Sequence, residues 1–342
     1  MNNHRRNVLT FLATRFGISG LMIVALMALM VPQAAASTSS RNGSGVEPFK
    51  HVFLIMMENT SYTSLIGNPN APWINAAAQK YGLATSYFGV THPSQPNYIA
   101  ATSGSTQGVT SDSDVNLNVV NIVDQLEAHG KTWKAYMQSI FAGGNTNKLA
   151  DSAGNQLYER KHNPFVSYLD VQTNAERMKN IVGFSRFLDD LEDNTVPNFS
   201  WISPDQCHDM HGRAGPTSNP GSDPCDFSHV QGLITAGDTF LRNTVNEIRE
   251  SRAWTGNSVI FITWDESDFP FSDVSGCCDA VPGGGHVLTL VIQHGQDDHI
   301  VSNINYNHYS MLDTIEDSWN LGCLGFTCDT TNVPDMRALV ED

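Results

Sequence analysis

Two apolar runs, each cut off by polar oxygen-bearing residues, organise the reading of the chain. Residues 51–57, His-Val-Phe-Leu-Ile-Met-Met, lead straight into Glu58 and Asn59; residues 258–264, Ser-Val-Ile-Phe-Ile-Thr-Trp, lead into Asp265 and Glu266. Short runs of this kind, rich in β-branched and aromatic residues and without alternation, predict parallel strands buried on both faces. Ligands of such sheets gather beyond the carboxyl ends of the strands. Acids delivered there from two strands point to a metal ion.

The remaining pattern alternates strand-like runs with helical ones. Further strands are expected at 85–90, 132–137, 198–203 and 286–292. Helices are expected at 72–81, opened by Pro72 and stopped by Gly82, and at 119–129, ended by Gly130, with others near 185–192, 230–252 and 308–320. This alternation predicts an α/β protein, a three-layer α/β/α sandwich around a mostly parallel sheet. Residues 141–180 and 205–229 break the pattern. Both are rich in Gly, Asn, Pro, Asp and His and too long for plain connectors, which makes them the expected walls of a site.

The N-terminus adds a compartment. Arg5, Arg6 and Arg15 are followed by an apolar run from Ile18 to Val31 and by Ala34-Ala35-Ala36 before Ser37. This is the pattern of a secretory signal peptide over 1–36, with an apolar core short of the roughly 20 residues a membrane span needs. A polar leader, 37–45, and a single catalytic domain, 46–342, are expected to follow, in a secreted or periplasmic protein without a stable membrane span. The chain carries 19 basic against 35 acidic residues, and the signal segment holds three of the arginines and no acids. No basic stripe suited to nucleic acid is present. Such acidity repels anionic substrates, so a phosphate site must bring its own positive charge, which a metal would provide. All six cysteines (Cys207, Cys225, Cys277, Cys278, Cys323 and Cys328) lie beyond the signal segment, and disulfides are the default in an exported chain. Several pairings are open; local closure favours Cys207 with Cys225 and Cys323 with Cys328, leaving the adjacent Cys277 and Cys278.

Candidate chemistry collects at the strand ends. Between strand 85–90 and the next helix lies Thr91-His-Pro-Ser-Gln-Pro-Asn-Tyr98, which sets Ser94 at a strand-to-helix turn. A hydroxyl there faces the free N–H groups of a helix start, where an oxyanion or phosphate is favoured, with Asn97 in the same turn. Serine is a weak nucleophile unless a base or metal activates it, and no Gly-x-Ser-x-Gly elbow surrounds Ser94. The acids at 58 and 265–266 would hold the metal that does so. His208-Asp209-Met-His211, His308 at the head of the last helix, and Tyr158-Glu-Arg-Lys-His-Asn-Pro-Phe165 supply further groups, since histidine serves as metal ligand or general acid.

In this order, Glu58-Asn59, His92-Pro-Ser-x-Pro-Asn97, Asp209-Met-His211, Thr263-Trp-Asp-Glu266 and Asn307-His-Tyr-Ser310 resemble the phosphoesterase family of secreted bacterial acid phosphatases and phospholipases C, within the alkaline phosphatase superfamily. Tyr158-x-Arg-Lys-His-Asn-Pro-Phe165 is similar, more narrowly, to the short secreted acid phosphatases, some of which act on phosphoinositides. The resemblance implies a metal-assisted phosphoseryl intermediate. It makes Ser94 the nucleophile and Glu58, Asn59, Ser94, Asp265 and Glu266 metal ligands or near neighbours. It makes Asn97, His162, His211 and His308 binders of the phosphoryl group or proton donors to the leaving oxygen, beside Arg160 and Lys161 in the substrate site. Where two-metal members carry an Asp-His pair this chain has Asp265-Glu266, so a second site would rest on Asp209, His211 and His308. Oxygen ligands suit magnesium, calcium or manganese; histidines would bring in zinc or iron.

The expected function is therefore a secreted acid phosphatase acting on a phosphomonoester, a small molecule or a lipid headgroup. The alternatives are a phospholipase C or other phosphodiesterase on the same core and, from another class, a non-catalytic metal- or carbohydrate-binding protein.

Overall fold

The strands β1 (Val52–Met57), β2 (Gly82–Phe88), β3 (Trp133–Met137), β4 (Ile181–Gly183), β5 (Phe199–Ser203), β6 (Val259–Trp264), β7 (His286–Gln293), β8 (Val301–Ser302) and β9 (Tyr306–Asn307) form one sheet. Its order is β4-β3-β5-β1-β6-β7-β2-β8, with β9 paired to β2. The computed structural model describes residues 45–152, 156–215, 222–296 and 298–340. The expected signal peptide and residues 37–44 of the polar leader lie outside the described residues.

Every residue of β1, β5 and β6 is buried, as their unbroken apolar runs require. β1 lies between β5 and β6 and runs parallel to both. Its register with β6 runs from Val52 opposite Val259 to Met57 opposite Trp264, so the two strands end level. Glu58 and Asp265 therefore leave the sheet side by side, and the Asp265 N–H bonds the Met57 carbonyl at 3.0 Å. The exception to the parallel arrangement is β7, antiparallel to both β6 and β2. An apolar run carries no strand direction, so sequence pattern cannot show this reversal.

The helices fall into two groups around the sheet, as expected of a sandwich. Ser94–Ser103 packs with His308–Trp319, and Pro72–Ala78 with Val230–Glu250. The last helix is capped by Asn307, whose side chain accepts from the N–H groups of Tyr309 and Ser310. β2 begins at Gly82, three residues before the expected start, because Leu83 and Ala84 already pair with β7 and β8. β4, β8 and β9, of two or three residues, are too short to leave a periodic signal. Among the described residues of the long segment 141–180, the short turns Arg160–His162 and Pro164–Ser167 pack on the Ser94–Ser103 helix. A disulfide joins Cys207 to Cys225; Cys277–Cys278 and Cys323–Cys328 form the other two, the locally closed set. Among the described residues no helix is long and apolar enough to cross a membrane.

Candidate active site

Glu58 and Asn59, from the end of β1, and Asp265 and Glu266, from the end of β6, meet over the start of the Ser94–Ser103 helix. Asn59 adopts a left-handed φ of 39°, a conformation asparagine tolerates, and this turns its N–H onto Asp265 Oδ1 at 3.0 Å. Its side-chain amide donates to Glu266 Oε1, also at 3.0 Å. Gly89, just after β2, lets the neighbouring backbone close in: a Cβ there would stand 2.7 Å from the Asp265 carbonyl oxygen.

Ser94 is the first residue of its helix and is buried. Its Oγ lies 3.0 Å from Glu58 Oε2, 3.0 Å from Glu266 Oε1 and 3.4 Å from Asn59 Oδ1. A hydroxyl has one proton to donate, so one of the two carboxylates receives it while the other stands ready as an alternative base. His92 holds Glu266 in place: its Nδ1 donates to Glu266 Oε2 and its Nε2 to the Asp273 carbonyl at 2.9 Å. Burial lowers the pKa of His92, but Glu266 outweighs it and the net shift is upward. Acceptors stand at both nitrogens, which favours the protonated ring.

His162, Asp209 and Lys161 approach from the two long segments. His162 Nε2 lies 3.1 Å from Glu58 Oε1, at an angle that leaves both atoms without a formed hydrogen bond, and its Nδ1 is 3.6 Å from Asp209 Oδ2. Tyr98, one turn along the Ser94 helix, stacks on the His162 ring at 5.3 Å. Asp209 is anchored by the Glu58 N–H, which bonds its carbonyl at 2.9 Å. Lys161 pairs with Asp112 at 2.9 Å; burial works against its charge, yet Glu58 and Asp112 prevail and hold it protonated.

The result is a buried excess of carboxylates. Burial and then Asp265 push Glu58 well above the usual range, and burial does the same to Asp209. Asp265 is raised to about 8 by burial and the adjacent Glu266. Asp265 Oδ2, Asp209 Oδ2 and Glu58 Oε1 are buried without a formed hydrogen bond, as is His162 Nε2. Buried charge left so poorly compensated is costly unless paired or coordinated to metal. The chemistry of this donor set fits a divalent cation, although among the described residues no group of three or more His, Cys, Asp or Glu side chains is placed to hold one. Ser94 and Asn59 add oxygens from outside those four residue types.

Other expected site residues are placed elsewhere. The Asn97 side-chain oxygen accepts from the N–H groups of Val90 and Thr91, at 2.8 and 3.1 Å, and its nitrogen donates to the Thr91 and Pro93 carbonyls. All its polar atoms are spent on bracing the turn that presents Ser94, which leaves none for a phosphoryl group. Arg160 is turned toward other partners: its Nη2 donates to the Val115 and Val166 carbonyls and its Nη1 lies 2.9 Å from Asp114, while Nε and Nη1 form no hydrogen bond. His308 gives its Nε2 proton to the Asp265 carbonyl at 2.7 Å and faces the Tyr87 hydroxyl with Nδ1 at 3.1 Å. Burial lowers its pKa to about 4, so it stands as a neutral brace with neither nitrogen free. Asp209, His211 and His308 are thus not assembled as a second metal site, because the His308 ring is committed to backbone and Tyr87. In His211, Nδ1 meets the Gly212 carbonyl at 2.5 Å and must carry the proton. Burial, then Lys161, lowers its pKa, which favours the neutral ring with Nε2 as acceptor.

The His92–Glu266 pair and the Tyr98–His162 stack were not legible as site contacts, since both depend on tertiary closure. The one signal was His92 lying two residues before Ser94.

The phosphoesterase family model matches residues 68–322, well over half of the chain. A probable acid phosphatase of Kluyveromyces lactis is 27% identical over 85% of this chain, which spans 63% of that protein's length. A phosphatidylinositol-3-phosphatase of Mycobacterium tuberculosis is 28% identical over 96% of this chain and 95% of its own. Among solved structures, a protein of the alkaline phosphatase superfamily from Vibrio parahaemolyticus superposes with a TM-score of 0.52 at 15% identity, covering 81% of this chain and 67% of that one. That likeness establishes the fold.

Proposed function

The chain belongs to the phosphoesterase family, and on that footing we propose that it is a secreted phosphomonoesterase of the acid phosphatase type in which Ser94 accepts the phosphoryl group. The observation that carries this reading is the position of Ser94 Oγ, 3.0 Å from carboxylate oxygens of both Glu58 and Glu266 at the first position of a helix. Attack by Oγ forms the Oγ–P bond and breaks the bond from phosphorus to the leaving oxygen. The hydroxyl proton passes to Glu58 or Glu266, and the leaving oxygen takes up a proton from solvent. Attack by water then forms the new P–O bond and breaks the Oγ–P bond; the water gives up a proton and the carboxyl returns its own to Ser94.

Glu58, Asn59, Ser94, Asp265 and Glu266 would hold a divalent cation, with Asp209 and His162 beside them. Such an ion would lower the pKa of the serine hydroxyl and neutralise phosphoryl charge. The chain's own residues do the rest. His92 and Asn59 orient Glu266; Asn97 and His308 keep the Ser94 turn and the Asp265 backbone in place. Lys161, held protonated, supplies positive charge within an otherwise acidic centre. Neutral His211 accepts a proton at Nε2 and so can take one from the attacking water.

Phosphomonoester substrates, small molecules or lipid headgroups, are supported by the names of the two relatives above. Export is supported by the N-terminal sequence pattern. The test is hydrolysis of a chromogenic phosphomonoester and of its phosphocholine diester by the wild type and Ser94→Ala. Serine-dependent turnover favouring the monoester is expected. Preference for the diester would make it a phosphodiesterase, and turnover surviving in Ser94→Ala would remove the nucleophile.

A further inference from the structure

A cleft of about 500 Å³ runs beside the reaction centre, walled by Met210, Phe227, Leu233, Ile234, Phe269 and Phe271. That size is typical of sites for small organic ligands. It is joined to the centre at one end. Asn59, one of its lining residues, is 3.4 Å from Ser94 Oγ, and His211, another, meets the His162 ring edge-on at 6.3 Å between centroids.

The apolar walls come from Met210, from the stretch 227–234 and from Phe269 with Phe271. Val230, Leu233 and Ile234 form one stripe on the first turns of the Val230–Glu250 helix, at the spacing of a single helix face. Phe227 follows the Cys207–Cys225 disulfide, and Phe269 and Phe271 sit beyond the end of β6. The carboxylate of Asp268, at the cleft edge, is spent on the Ser61 N–H at 2.7 Å and the Ser64 hydroxyl at 2.6 Å. Beside the polar Asn59, Thr60, Ser64 and His211, the surface left for a ligand is apolar, with Phe227 58% and Phe269 77% exposed at its mouth. Single exposed apolar residues are ordinary, whereas several rimming a concavity that opens on a reaction centre mark a binding site.

We propose that this cleft binds the apolar organic group of the phosphomonoester, so that the protein acts on amphiphilic esters, with an alkyl chain or aromatic ring on the leaving oxygen. The inference rests on Ser94 as phosphate acceptor, and it specifies what lies on the far side of the bond that breaks. The occupant is a single substrate molecule. The cleft gains affinity by removing apolar area from water, which needs no positive charge from an acidic chain.

The test is kcat/KM for n-alkyl phosphates from ethyl to octyl, kept below aggregation. A rise of about 2- to 4-fold per methylene is expected until the cleft is filled, the upper figure being full burial of each CH₂. In Phe227→Ser/Val230→Ser, both exposed positions where the fold tolerates polarity, the octyl-to-ethyl ratio should fall at least about 10-fold. A flat series in the wild type, or an unchanged ratio in the variant, overturns the proposal. A gain seen only when the octyl ester is embedded in neutral vesicles also overturns it, because the rim phenylalanines would then serve surface adsorption. Calorimetric binding of octyl- against ethylphosphonate, which needs no turnover, separates the two readings. Chain-length-dependent binding without hydrolysis would retain the cleft and sink the phosphatase, and hydrolysis without chain-length dependence would do the reverse.

Discussion

Half-buried His92 and buried Glu266 form a pair in which the imidazole donates to one carboxylate oxygen while the other carboxylate oxygen lies 3.0 Å from the Ser94 hydroxyl. The histidine reaches the nucleophile only through Glu266, so it is a positioning residue. Removing such a partner typically costs 10- to 100-fold in metal affinity or activity. His92→Ala should lower kcat by about that factor, weaken divalent cation binding in parallel and leave KM within about 3-fold. A rise in KM with kcat intact would instead make His92 a substrate contact.

Asn97 braces the Ser94 turn with four hydrogen bonds to backbone. Asn97→Ala should lower unfolding stability by about 2–3 kcal/mol, the cost of orphaning buried backbone groups. Urea unfolding monitored beside activity checks this. A raised KM with unchanged stability would restore Asn97 to phosphate binding.

For His308, the pH–rate profile decides between brace and acid. His308→Ala should destabilise the fold by about 2–3 kcal/mol through lost buried hydrogen bonds while leaving the basic limb of the profile in place. Loss of that limb would return His308 to general-acid work.

Cation removal should make stability depend on pH in a definite sense. Asp265, raised to about 8, stays protonated in the fold over a range where the unfolded chain, with aspartate near 3.9, has already ionised. Between those values the folded state binds more protons, so stability without a cation falls as pH rises. Glu58 and Asp209, raised likewise, act in the same direction. A divalent cation competes with those protons, so the difference in Tm between loaded and chelated protein should widen from about pH 5 to about pH 8. At 100-fold excess over Kd it should correspond to about 2.7 kcal/mol. A difference independent of pH would show that these carboxyls do not bind the ion.

The acid-terminated strands were legible because burial on both faces imposes an unbroken apolar run, and the run stops where the chain leaves the sheet. Glu58 and Asp265 could be paired for the same reason, and the Asn59 and Glu266 contacts follow from adjacency. The true work of Asn97, Arg160 and His308 was not legible. Each is a polar residue in the expected place whose observed partners lie outside the reaction centre: Asn97 bonds the backbone of its own turn, Arg160 the Val115 and Val166 carbonyls, and His308 the Asp265 carbonyl and the Tyr87 hydroxyl; only the folded distances report that. The reversed β7 and the apolar cleft were hidden likewise, the cleft because Met210, the stretch 227–234 and Phe269 with Phe271 are brought together only by the fold.

The most direct test of the account is to quench the protein in acid during turnover of a phosphomonoester and map phosphate by mass spectrometry. Phosphate on the peptide carrying Ser94, absent in Ser94→Ala and lost on a chase with unlabelled substrate, is the predicted result. Steady turnover by a protein in which no phosphorylated Ser94 can be trapped, together with activity retained in Ser94→Ala, would contradict it.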